Sequence, residues 1–186
     1  MLPKSKIIIA SSLLTILLLV GLADSALAEA TTFHNPQVGK QLTDFKQTAF
    51  EMRREADTLK SMTPNKRLSW ESHTYRLSTL KDQVNEMGRS LAELEAQKSI
   101  ASEGQALAIE HARPHLVSVA QNLTAAIELV NENRNSVQWS EYGNTVNDIY
   151  AHADALHNKL DTILDYEKAK TRFDRLELER SLMTGY

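Results

Sequence analysis

Four histidines are the residues whose spacing could do chemistry. His111 and His115 lie four residues apart, and His152 and His157 follow later in the chain. On a helix a spacing of four places two side chains on one face, one turn apart. Folding the chain back near Asn135 brings His115 level with Ala155. His115 and His152 would then meet across two helices, with His111 one turn away and Glu110 or Asp148 as an oxygen donor. Imidazole and carboxylate ligands at such spacing suit Zn, Cu or Ni. The plainer alternative is helix-edge histidines bonded to water and neighbours, and Pro114 disturbs the spacing of the first two. The expectation is no resident cofactor, with a Zn or Cu site on His111, His115, His152 and His157 as the alternative.

Other chemistries find less support. His73 occupies a row of residues that otherwise holds Leu and Met, so it should point into a core and hydrogen-bond there. Tyr142 is the expected partner. Haem ligation with Met62 is set aside, because Met62 lies off its own apolar row and no second core histidine stands at that level. Carboxylate di-iron bundles need paired Glu-x-x-His motifs, and the nearest match is the single run from Asp154 to His157. The chain has no Cys, which excludes disulfides, thiolate metal sites and a cysteine nucleophile. No nucleophile elbow and no Gly-rich phosphate loop occur. A net charge of −3 argues against nucleic acid as a partner.

The elements that must position these residues are long helices. Val38, Leu42, Phe45, Ala49, Met52, Ala56 and Leu59 recur in steps of four and three, as one helix face requires. Asn35 and Pro36 supply an N-cap and a first helical residue. A second row runs from Trp70 through His73, Leu77, Leu80, Val84, Met87 and Leu91 to Leu94, behind Ser69 as cap. A third runs from Ile109 to Val130, opened by the capping-box pair Ser102 and Gln105. Pro114 should kink or break it. A fourth runs Trp139, Tyr142, Val146, Ile149, Ala153, Leu156, Leu160 and Ile163, and then slips phase to Tyr166, Ala169, Phe173 and Leu176. Such a slip is a stammer. Helices are expected at about 36–62, 69–97, 103–131 and 139–180, with 181–186 frayed. Short connections make them antiparallel neighbours in an all-α, up-down-up-down four-helix bundle with a long fourth helix.

The first 28 residues fall outside this pattern. Lys4 and Lys6 precede an apolar run from Ile7 to Val20, and Ala26-Leu27-Ala28 offers a small-x-small cleavage site. These are the marks of a Sec-type signal peptide. Cleavage after Ala28 would leave a flexible leader at 29–35 and shift the net charge from −3 to −4 through loss of Lys4, Lys6 and Asp24. The expected location is periplasmic or extracellular, with no membrane span after cleavage.

The fourth helix is longer than its neighbours. Gly104 should lie level with about Tyr166, so residues 167–180 should project about 20 Å at about 1.5 Å per residue. Phe173 and Leu176, flanked by Arg172 and Arg175, are the expected contact residues for a second copy or another exported protein.

Two resemblances accompany this pattern. The run Leu42-Thr43-Asp44-Phe45-Lys46 is similar to the Leu-Thr-x-x-Gln motif of periplasmic helical chaperones and stress sensors, although Lys stands in the Gln position and Gln47 follows it. Residues 122–127 (Asn122, Leu123, Thr124, Ala125, Ala126, Ile127) and 165–170 (Asp165, Tyr166, Glu167, Lys168, Ala169, Lys170) resemble secreted bacterial helical-bundle proteins of about this length. That likeness implies an exported all-α bundle and no particular activity. The expected function is non-enzymatic, by protein–protein contact, in a structural, adaptor or chaperone-like role.

Overall fold

The computed structural model describes residues 35–65, 67–132 and 140–184. The signal-peptide residues, the leader up to His34, Trp139 and the Asn-rich connection before it lie outside the described residues. The helices are α1 (Pro36–Met62), α2 (Trp70–Ala96), α3 (Glu103–Glu132) and α4 (Ser140–Thr184), with a short 3-10 turn, Lys98–Ile100, before α3. No strand occurs among the described residues. The chain is an all-α, antiparallel four-helix bundle with a long fourth helix.

Each helix forms because one row of its side chains is buried. On α1 the row is the expected one, Val38 through Leu59. On α2 it is His73, Leu77, Leu80, Val84, Met87, Leu91 and Leu94. α1 packs on α2 and α4, and α3 packs on the same two. Of the two diagonals, only α1 and α3 approach closely. The cause is side-chain size. Ala49 and Ala56 on α1, and Ala108, Ala112 and Ala126 on α3, are buried, whereas the row on α2 has no residue smaller than Val84.

Local chemistry sets the ends. Asn35 Oδ1 accepts from the backbone N–H groups of Gln37 and Val38 at 3.0 and 3.3 Å, and Pro36 takes the first helical position. Ser69 occupies the N-cap of α2 with an extended backbone but makes no side-chain cap bond. It is exposed, so water can satisfy the first turn. α3 runs unbroken through Pro114, against the expected break. Glu110, Arg113 and Pro114 are all exposed, so the carbonyl that the proline leaves without a donor can turn to solvent.

The expected stammer in α4 does not occur. Beyond Leu160 the buried row continues through Ile163 and Leu164 to Glu167, while Tyr166 is 66% exposed. The 3–4 spacing is therefore kept, with a carboxylate where the next apolar residue would stand. The physical reason lies at the start of α3. Ser102 Oγ accepts from the Gln105 backbone N–H at 3.2 Å, and Gln105 Oε1 accepts from the Ser102 N–H at 2.9 Å, the expected capping box. The same hydroxyl donates to Glu167 Oε1, which places a carboxylate at the positive end of α3. Gln105 also bonds the Asn35 backbone in both senses, accepting at 3.2 Å and donating at 2.8 Å. One polar network thus joins the starts of α1 and α3 to α4.

Gly104 makes room for this network. A Cβ on residue 104 would lie 2.2 Å from Glu167 Oε2 and 2.8 Å from its Cδ. Gly104→Ala should therefore expel the carboxylate and cost about 1–3 kcal/mol, the scale for stranding a buried polar group. In a Glu167→Ala background the same change should cost less, because only the Cβ contact at 3.3 Å remains and helix propensity offsets it by up to about 1 kcal/mol. Urea denaturation of the single and double variants checks this, and equal effects in both backgrounds would refute it.

Candidate functional site

The structure divides the histidines into three environments. His115 on α3 and His152 on α4 do meet, with ring centroids 6.0 Å apart and ring planes at 46°. Both are half-buried. Burial chiefly lowers the His115 pKa, and the positive potential of His152, His111 and Lys159 lowers it further. The lowered pKa favours the neutral His115 imidazole, which is the form a metal binds. His111 lies one turn from His115 and contributes to that potential. Glu110, an expected oxygen donor, is instead held by Lys98 Nζ at 3.0 Å, and this hydrogen bond keeps its carboxyl below the usual value.

His157 is not part of this cluster. It faces α1, where its ring meets Phe50 edge-on with centroids 5.3 Å apart. Its Nδ1 is shielded and has no hydrogen-bond partner. Burial is the main cause of its lowered pKa, which the nearby Asp161 opposes. The flanking charges are committed to inter-helix ion pairs: Lys46 to Asp161 at 2.8 Å and Arg53 to Asp154 at 2.7 Å. Helix periodicity explains the separation. Five residues from 152 to 157 turn the side chain well over a full turn, so it emerges on the α1 side rather than the α3 side. Among the described residues, no group of three His, Cys, Asp or Glu side chains could hold a metal ion.

His73 is buried, with 1% of its surface exposed. Its Nδ1 lies 3.0 Å from the Tyr142 hydroxyl, the expected partner. Burial lowers the His73 pKa and raises that of Tyr142, so both are held neutral. The pair links α2 to α4 in the core.

The expected contact residues are all at the free end of α4. Every residue from Lys168 to Thr184 is exposed, and at about 1.5 Å per residue this end is about 25 Å long. Phe173 is 59% exposed and Leu176 52%, with Leu178, Leu182 and Met183 more exposed still. Arg172 and Arg175 are exposed beside them. Large apolar side chains in this number on one short helical segment are unusual for a surface without a partner. Sequence reasoning missed the Glu167 network that anchors this end. The available signal was its position, four residues after Ile163 in the buried row.

Three histidines have pKa values lowered by burial, which fixes the acid response of the fold. Each binds its proton at a lower pH in the native chain than at the ordinary value of 6.5. As pH falls through about 6.5 the unfolded chain takes up protons first, so stability declines. Thermal denaturation should show a constant midpoint between about pH 7.5 and 9 and a fall toward pH 5. The double variant His73→Leu, Tyr142→Phe should make that fall shallower, since it removes the most buried imidazole together with its partner. An unchanged slope would contradict this account.

No family model, curated protein or solved structure matches the chain.

Proposed function

We propose that the chain is an exported, non-enzymatic helical-bundle protein that works by protein–protein contact, in a structural, adaptor or chaperone-like role. The observation that carries this is the exposed end of α4, where Phe173 and Leu176 stand in solvent beside Arg172 and Arg175. Export rests on the signal-peptide pattern of residues 1–28. No described helix is long and apolar enough to cross a membrane. A photo-crosslinking amino acid at position 173, introduced in the full chain and activated in the cell, should give discrete protein adducts. The same group at Gln47, an exposed site on α1, should give none. Indistinguishable adduct patterns at the two positions would overturn this assignment.

A second reading is favoured by the His115–His152 approach: a bundle that takes up Zn or Cu at these two imidazoles. His157 is excluded from that set by its place against α1. Adding Zn or Cu to metal-free protein should raise the thermal midpoint, and His115→Gln should abolish the rise. No shift with either ion ends this reading.

A further inference from the structure

The exposed end of α4 is two-faced in an informative way. Inside the bundle its buried row is Leu156, Leu160, Ile163 and Glu167. The same 3–4 steps carried onward reach Lys170, Asp174, Glu177 and Ser181, all polar and exposed. Tyr166, Ala169, Phe173, Leu176 and Met183 share a different row with Arg180, one residue and about 100° away, while Leu178 and Leu182 lie on the opposite face. This row keeps strict heptad spacing but does not continue the bundle core. It is a new seam, flanked on one side by Lys170 and Glu177 and on the other by Arg172 and Glu179.

We propose that this seam pairs with the same seam of a second copy, antiparallel, with Phe173 packed on Leu176 of the second copy. The inference rests on the contact reading above and names its partner. Three features of the charge pattern select it. In antiparallel coiled coils like flanks face like flanks. With Phe173 opposite Leu176, Lys170 meets Glu177 and Arg172 meets Glu179 of the second copy, and each attraction occurs twice. Sliding by one heptad in one direction sets Lys170 and Arg172 against their own copies. Sliding in the other direction sets Glu177 and Glu179 against theirs. The register is therefore unique among heptad steps. A parallel pair also offers attractive flanks, but it buries Arg180 against Arg180. The antiparallel register places Arg180 opposite Ala169, whose small side chain leaves space for the long stem.

The ion pairs this surface makes within the subunit are long and exposed, and Lys170 exchanges its own for Glu177 of the second copy. Lys170 Nζ is 3.7 Å from Glu103 and Lys168 is 3.7 Å from Asp165, both pairs being exposed. The facing segments are short, at the low end of interface sizes, so the dimer forms and dissociates with concentration.

The absence of cysteine makes the test clean, since any introduced thiol is the only one. Chains purified from the exporting cell would carry Ala169→Cys or Arg180→Cys. Mixing and mild oxidation should give a disulfide-linked dimer, and neither variant alone should link. A dimer from Ala169→Cys alone would mean parallel pairing and overturn the proposal. So would a failure to link in any combination, with light scattering showing monomer at all concentrations. A charge swap gives an independent readout. The variants Lys170→Glu, Arg172→Glu and Glu177→Lys, Glu179→Lys should each lose the dimer, and mixing the two should restore it. Neither swap touches the bundle core, so circular dichroism should show unchanged folding of the bundle. In-cell adducts at Phe173 that contain only a different protein would refute the second copy while sparing the contact reading. No adducts at all would sink both.

Discussion

A helix alone in water is marginal, because nucleation fixes several residues for a single hydrogen bond and propagation gains little per residue. Helices α1 to α3 become stable only by removing one side-chain row each from water. The chain has no cysteine, so no covalent staple shares this work. Burial of the four rows is thus the constraint on which the bundle depends, and it explains their regularity. A single substitution out of step would turn an apolar side chain to solvent and leave a void opposite. It also marks where the constraint stops. Past Glu167 every described residue of the fourth helix is exposed, yet Ala169, Phe173 and Leu176 keep heptad spacing on a rotated face. Order without burial inside the subunit is the physical basis for seeking burial between subunits.

The polar network at that end is the transition between the two regimes. A seam that ended in another leucine would leave the first N–H groups of α3 facing apolar surface. Glu167 instead supplies a carboxylate where α3 carries its positive end, and Ser102 both accepts from Gln105 and donates to Glu167. Gly104 is helical and has no positive φ, so its role there is space rather than backbone freedom. The network ties α4 to the cap of α1 through Gln105 and Asn35. It therefore holds the root of the projecting segment at a fixed position and angle, which a contact surface on that segment requires.

Most of the fold was legible in the sequence, because seam periodicity is the same physical fact as seam burial. The rows on α1 and α2, the Asn35 cap, the Ser102–Gln105 box and the His73–Tyr142 pair all follow from spacing and residue type. Apolarity alone failed where a polar residue occupies a seam position. Past Ile163 it jumped to Tyr166 and suggested a phase slip, whereas the structure buries Glu167 in step. Pro114 misled for a related reason: the cost of a proline depends on whether the freed carbonyl meets water, and that depends on exposure, which spacing does not report. Among the histidines, His115 and His152 were legible as neighbours because one turn of each helix brings them together. His157 is near His152 along the chain, but the rotation of five residues turns it toward Phe50 on α1.

The His73–Tyr142 pair shows what a polar contact adds to such a core. Helices α2 and α4 lie on the wide diagonal, where their backbones do not approach closely. Long side chains must cross that gap, and His73 and Tyr142 do so with a 3.0 Å hydrogen bond and an edge-on ring contact. Apolar side chains in heptad rows can slide past one another with little change in buried area. A buried hydroxyl and imidazole cannot, because any shift of α4 by one heptad would strand both groups without partners. The energy gained in the correct register is modest, but the penalty in every other register is larger. By this argument the pair contributes specificity more than stability, as a single polar position does in other helical seams. It sets the axial position of α4, and with it the length of helix that remains beyond Glu167.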